Sequence, residues 1–134
     1  MAKVLISGGA GFIGSHIAEA YLASGFDVVV VDNLSTGKRE NLPRGVTFYE
    51  GDITSLSDME EIFFREKPDY VNHHAAQINL RRSTEEPLFD ARVNILGSIS
   101  LLELSVKYRV KKFIFASTGG AIYGEVKTLP ARED

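Results

Sequence analysis

The sequence predicts a doubly wound α/β domain, a parallel five-stranded sheet in the order 3-2-1-4-5 with helices on both faces. Three observations carry that prediction. Strand-like and helix-like periodicities alternate along the whole chain. The run Phe26-Asp27-Val28-Val29-Val30-Val31 is almost continuously β-branched, as suits a strand covered by helices on both sides. The opening MAKVLISGGAGFIGS reads as a strand, a turn nearly free of side chains, and the start of a helix. Right-handed crossovers leave few other topologies for such an alternation.

Taken in order, Val4-Leu5-Ile6 is an apolar run long enough for a buried strand and too short for a helix. The first helix is predicted over Phe12–Ser24, with Ile13, Ile17, Ala20, Tyr21 and Leu22 facing inward and Gly25 as its stop. The second strand ends at Asp32, and residues 33–41 are polar and turn-rich, with one helical turn near Lys38. Val46–Glu50 is a third strand closing at Gly51-Asp52-Ile53. Ser57-Asp58-Met59-Glu60 reads as a capping box that starts a helix, which Pro68 ends. Tyr70–His74 is the fourth strand and delivers Ala75-Ala76-Gln77 at its carboxyl end. A long helix is predicted from Pro87 to about Tyr108. Its apolar face is Ala91, Ile95, Leu96, Ile99, Leu102 and Val106, with Val93, Leu101 and Leu104 off that face. Lys112–Ser117 is the fifth strand, and residues 118–134 read as a glycine-containing loop plus tail.

Composition narrows the class. At 134 residues, 44% hydrophobic and 25% charged, the chain suits one ordinary globular domain spanning residues 1–134. A net charge of −3 without a basic run argues against a nucleic-acid binder. The absence of cysteine removes disulfides and thiolate metal sites. No apolar run approaches the roughly 20 residues of a membrane span, and no secretory signal pattern opens the chain. The expectation is a cytoplasmic domain without a membrane or nucleic-acid partner.

Chemistry is expected at the carboxyl ends of the strands, near the switch between strands one and four. Gly8, Gly9, Gly11 and Gly14 satisfy two spacings of the dinucleotide fingerprint, in the context of strand, turn and helix that gives the pattern meaning. Without side chains there, backbone N–H groups and the positive end of the helix can approach a pyrophosphate. Asp32 closes strand two about twenty residues later, where a carboxylate accepts both hydroxyls of an adenosine ribose and repels a 2′-phosphate, or merely caps the turn that follows. The expected cofactor is therefore NAD rather than NADP. Asp52 ends strand three, placed to accept a proton from an adenine amino group with Ile53 near the ring, or to serve as a turn residue after Gly51. His73 and His74, adjacent in a strand, point to opposite faces and read as satisfied core or rim histidines; no metal site is expected.

Together, Gly8–Gly14, Asp32-Asn33-Leu34, Gly51-Asp52-Ile53, His74-Ala75-Ala76-Gln77, Asn94 with Gly97, and Ser117-Thr118-Gly119-Gly120-Ala121-Ile122-Tyr123-Gly124 resemble the extended short-chain dehydrogenase/reductase family, a Rossmann-fold group. The nearest branch is the UDP-glucose 4-epimerases, and the resemblance covers only the amino-terminal part of such an enzyme. It implies that Gly8, Gly11, Phe12, Ile13 and Gly14 surround the pyrophosphate, and that Asp32, Asn33 and Leu34 hold the ribose. Asp52 and Ile53 would hold the adenine. His74, Ala75, Ala76, Gln77 and Ser117 would line the cofactor, with Asn94 supporting the loop after strand four. Thr118 would take the place of the active-site hydroxyl that bonds the sugar 4-OH. Ser7 stands where the family usually has Thr. Gly119 and Gly120 occupy positions that are an Asp-Glu pair in nucleotide-sugar 4,6-dehydratases, which favours an epimerase over a dehydratase relative.

The implied chemistry is transient oxidation of the sugar at C4 by NAD, rotation of the keto sugar and re-reduction, with a helical Tyr-x-x-x-Lys removing the proton. That pair should come well after Thr118, and the chain stops at Asp134. Tyr123-Gly124-Glu125-Val126-Lys127 matches the pattern literally but sits among glycines and before Pro130, as a loop would. The expectation is a truncated, NAD-binding portion that is inactive alone and meets UDP-glucose or UDP-galactose only in a longer chain. The alternatives are a non-enzymatic dinucleotide-binding or structural fragment, a nucleotide-sugar 4,6-dehydratase-like relative, and an intact small oxidoreductase that uses Tyr123 and Lys127. The exposed fifth strand and the surplus apolar positions of the long helix predict a homodimer or higher oligomer.

Overall fold

The computed structural model describes residues 1–133. Strands β1 (Lys3–Ser7), β2 (Asp27–Asp32), β3 (Thr47–Glu50), β4 (Tyr70–His73) and β5 (Lys112–Phe115) form one sheet in the order β3-β2-β1-β4-β5. Every neighbouring pair is parallel. The register pairs Ser7 with Val31 and with His73, Asp32 with Glu50, and His73 with Phe115. All five carboxyl ends therefore finish along one edge of the sheet, which is where the doubly wound topology builds its site.

Helix α1 (Phe12–Ala23) covers one face, packing Ala18, Ile17, Tyr21 and Leu22 on Val4, Ile6, Val28 and Val30. On the other face, α2 (Leu56–Glu66) brings Met59, Ile62 and Phe63 onto Leu5, Val29, Val31 and Val71. The central strands β1 and β2 are thus buried on both sides, which is why their sequences lack alternation.

The long helical segment differs from its predicted form. It is α4 (Pro87–Ala91), a π-turn at Arg92–Gly97 and α5 (Ser98–Lys107), preceded by a short helix α3 (Leu80–Glu85) that the sequence pattern did not predict. Asn79 caps α3 by accepting the Arg82 N–H at 3.0 Å. The sheet-facing residues are Gly97, Leu101, Leu104 and Ser105 with Val93 beside them, whereas Ile95, Leu96, Ile99, Leu102 and Val106 are exposed. The predicted faces are inverted. The physical reason is that the side touching the sheet must be narrow: the Gly97 α-carbon comes so close to Ile53 that a Cβ would stand 2.8 Å from its Cδ1.

Two further corrections are local. Ile13 and Ala20 of α1 are exposed, because the buried side of the helix is made of Gly14, Ser15 and Ala18. The capping box at Ser57 does not form. An Asx turn, in which Asp52 accepts from Thr54, delivers the chain into the helix early, so Ser55 takes the N-cap position and Ser57 falls in the first turn. The helical turn expected near Lys38 is a 3-10 turn at Arg39–Asn41. Beyond β5, Gly119–Tyr123 forms one helical turn, α6, where a loop was expected. Among the described residues no helix is long and apolar enough to cross a membrane.

Candidate functional site

The site begins where β1 ends. Gly8 adopts φ +72° and donates its N–H to the Val31 carbonyl at 2.8 Å. A Cβ on Gly8 would stand 2.6 Å from the Ala75 nitrogen, and one on Gly14 would stand 2.2 Å from the Gly8 carbonyl oxygen. The turn therefore touches both the chain after β4 and the first turn of α1 backbone to backbone. Helix α1 starts at Phe12 with Gly11 extended before it, so its first N–H groups have no intrahelical acceptor. Their positive potential faces the open edge of the sheet, and a group of diphosphate chemistry fits there. Phe12 and Ile13 are exposed beside that opening.

Asp32, at the end of β2, is buried. Its Oδ2 accepts the Ala10 N–H at 2.9 Å and its Oδ1 accepts the Leu34 N–H at 2.8 Å. Each oxygen keeps a lone pair for a further donor, which suits a vicinal diol. The Ala10 carbonyl accepts from Lys38 N–H at 3.1 Å and from Asn41 Nδ2 at 2.8 Å, so the loop after β2 is strapped over the glycine turn.

Asn33 donates through Nδ2 to Asp52 Oδ2 at 2.9 Å and joins the ends of β2 and β3. Thr54 donates its N–H and its hydroxyl to Asp52 Oδ1, at 2.9 and 2.7 Å. Burial pushes the Asp52 carboxyl up, but these donors outweigh it and hold the group below the ordinary carboxylate value. A carboxyl whose folded value is depressed stabilises the fold above its unfolded value and loses that contribution as pH falls through the folded one. Urea unfolding of wild type and Asp52→Asn between pH 7 and pH 3 should show a shallower acid loss in the variant. Equal pH dependence would remove Asp52 from the acid transition. The Ile53 side chain is buried in the core, so it meets the sheet edge with its backbone.

After β4, Asn94 in the π-turn accepts the Gln77 N–H at 2.8 Å through Oδ1 and donates through Nδ2 to the Gln77 carbonyl at 2.9 Å. Gln77 Nε2 in turn donates to Asp90 Oδ1 at 2.9 Å. Ala75 is half-buried against Gly8, and Ala76 is exposed. His74 is half-buried, with Nε2 donating to Asn72 Oδ1 at 2.7 Å. His73 points the other way, with Nδ1 2.6 Å from Ser7 Oγ and Nε2 2.9 Å from Ser98 Oγ. Burial, with a smaller contribution from His74, pushes the His73 imidazole down to about 4, so it is neutral at pH 7. Among the described residues no three metal-ligating side chains converge.

Ser117 and Thr118 lie just past β5 and are exposed, while Ala116 N–H donates to the His73 carbonyl at 3.1 Å and ties the two strand ends together. Tyr123 ends α6, Gly124 follows with φ +59°, and Lys127 lies outside the helix. Tyr123 and Lys127 therefore do not share a helix face. The bonds of Ser7, His73 and Ser98 went unread in the sequence, where the only signal was a hydroxyl at a strand end opposite a strand histidine.

A glycine turn in backbone contact with a helix start, 22 residues before a buried strand-end carboxylate that bonds back to it, is the arrangement of a dinucleotide-binding edge. The sequence profile of the NAD dependent epimerase/dehydratase family matches residues 4–134. The chain belongs to that family. Its sequence is 42% identical over 130 residues to the UDP-glucose 4-epimerase of Lacticaseibacillus casei, covering 97% of this chain and 39% of that protein. The fold superimposes on the Thermotoga maritima UDP-glucose 4-epimerase, solved with UDP-glucose, at TM-score 0.90 and 55% identity, covering 96% of this chain and 42% of that one. The Thermus thermophilus UDP-glucose 4-epimerase, solved with NAD, gives TM-score 0.90 and 51% identity over 98% of this chain and 42% of that one. The chain thus spans about two fifths of the length of these members of the family and matches their amino-terminal part.

Proposed function

We propose that this chain is the NAD-binding amino-terminal portion of a UDP-glucose 4-epimerase-like nucleotide-sugar epimerase and that alone it does not turn over nucleotide sugars. The observation that carries the reading is the closed glycine turn, which leaves no room for a Cβ at Gly8 or Gly14 and brings bare backbone to the open strand edge. In this reading Gly8, Gly11, Phe12, Ile13 and Gly14 hold the pyrophosphate, Asp32, Asn33 and Leu34 the ribose, and Asp52 and Ile53 the adenine. His74, Ala75, Ala76, Gln77 and Ser117 line the cofactor, with Asn94 fixing Gln77 from behind. Bound NAD would supply reversible hydride transfer at the sugar C4. Thr118 contributes a hydroxyl toward the sugar. Tyr123 and Lys127 are not its acid–base pair, because they share no helix face. Gly119 and Gly120 in place of two acidic residues favour epimerisation over dehydration. The exposed apolar row Ile95, Leu96, Ile99, Leu102 and Val106 supports association of two or more chains.

Calorimetric titration should give NAD binding in the micromolar range, while UDP-galactose incubated with the chain and NAD stays unconverted. Absence of binding would leave a structural fragment, and measurable turnover would overturn the inactivity. Sedimentation at high concentration is expected to show a dimer or larger species; a clean monomer would refute association.

A further inference from the structure

The geometry points to His73 as a positioning residue that holds the glycine turn and the loop after β4 in one register, through Ser7 on one side and Ser98 on the other; this rests on the NAD-binding reading above. The supply of protons fixes its direction. The Ser98 hydroxyl donates to the Asn94 carbonyl at 2.7 Å, and its single proton is then committed. At the 2.9 Å contact with Ser98 Oγ, His73 Nε2 must therefore be the donor. A neutral imidazole with its proton on Nε2 presents a bare Nδ1, so at 2.6 Å the Ser7 hydroxyl donates to it. Ser7 Oγ also faces the Ala75 N–H, at 3.4 Å. Every proton in the chain from Ala75 through Ser7, His73 and Ser98 to Asn94 then runs one way.

Each end of the relay is attached to a loop of the site. Ser7 is the last residue of β1, directly before the Gly8 turn, and Gly8 touches Ala75. Ser98 bonds back to a carbonyl inside the π-turn, an irregularity that needs such support and that aims the Asn94 side chain at Gln77. The imidazole is nearly inaccessible and packs edge-on to Phe113, with Phe115 tilted against it, so it keeps no alternative partner. A threonine at position 7 would keep the hydroxyl that the relay uses.

The tautomer and the coupling are both measurable on the whole 134-residue chain. In free protein, nitrogen-15 spectra of His73 should show a protonated Nε2 and a bare Nδ1, and Ser7→Ala should shift the Gln77 amide resonance. A protonated Nδ1, or an unmoved Gln77, overturns the relay whether or not NAD binds. A wild type that fails to bind NAD defeats the proposed function and leaves those two spectra to decide the relay. Where NAD binds, Ser7→Ala and Ser98→Ala should each weaken it roughly threefold to tenfold, the change carried by one neutral hydrogen bond. Ser7→Thr should restore it. The double variant should lose little more than the worse single one. Losses that multiply, or variants that melt earlier with unchanged NAD affinity, would reduce His73 to a packing residue.

Discussion

Gly14→Ala is expected to destabilise the chain by about 3 kcal/mol and to cut NAD affinity by two orders of magnitude or more. Two effects oppose each other at this position. Alanine is the better helix former, by about 1 kcal/mol in an exposed helix interior. Against that, the new Cβ would lie 2.2 Å from the Gly8 carbonyl oxygen, 2.8 Å from the Gly9 Cα and 2.9 Å from the Gly8 carbonyl carbon. All three are backbone atoms, and no rotamer change relieves them. Helix α1 must lift off the turn, which loosens Ala18 on the sheet and moves the first-turn N–H groups away from where a pyrophosphate would sit. Overpacking typically costs about 1–3 kcal/mol and here has no soft neighbour to absorb it, so the clash outweighs the propensity gain. Gly11→Ala is the internal control: its Cβ would meet one atom, the Gly8 oxygen, at 3.3 Å, so its cost should stay well below that of Gly14→Ala. Urea midpoints together with calorimetric titration measure both quantities, and a Gly14→Ala chain as stable as wild type would show that the turn is not closed.

Much of this edge was legible in the sequence. A buried parallel strand must be apolar on both faces, so β2 declared itself and its terminal Asp32 became conspicuous. The glycine turn gained meaning from the strand before it and the helix after it. The long helix was misread for a physical reason. An α-helical count from Val93 through Gly97 and Leu101 to Leu104 follows the buried face across the π-turn, but Ile95, Leu96, Ile99, Leu102 and Val106 form the bulkier and more conspicuous stripe, and that stripe faces outward. The sheet side is also built from Gly97 and Ser105, small residues that a search for bulky apolar stripes passes over. Helix α3 was overlooked because its stabilisation is polar: the Asn79 cap and the i,i+4 pairs Arg81–Glu85 and Arg82–Glu86 have no apolar period. The capping box at Ser57 failed because Asp52 and Thr54 had already turned the chain, which puts the N-cap at Ser55, two residues earlier than the pattern required. Tertiary bonds such as those of His73 to Ser7 and Ser98 join residues 66 and 25 positions apart, and no local rule reaches that far.

Asp32→Asn should change which dinucleotide the edge accepts, at a smaller cost in stability than Asp32→Ala. In the wild type the carboxylate accepts two backbone N–H groups, from Ala10 and Leu34, on opposite sides. Hydrogen bonds to a charged group contribute about 1.5–3 kcal/mol each, so removing both with Asp32→Ala should cost about 3 kcal/mol and strand the N–H of buried Ala10. Asparagine keeps one carbonyl oxygen for one of those donors but turns an NH2 group toward the other, so it should fall roughly midway. Binding follows different arithmetic. A second donor pair from a ribose diol still finds one oxygen in asparagine, whereas a 2′-phosphate no longer meets a full negative charge. Two unit charges about 4 Å apart near a protein surface interact by about 4 kcal/mol, which is large enough to dominate the choice between NAD and NADP. The ratio of the two dissociation constants should therefore shift toward NADP by tenfold or more in Asp32→Asn, with salt weakening the effect because the phosphate remains partly exposed. Titrations of wild type and variant with both dinucleotides, at low and high ionic strength, test this directly. An unchanged ratio would mean that the strap from Lys38 and Asn41 over the Ala10 carbonyl, rather than the Asp32 charge, sets the selectivity.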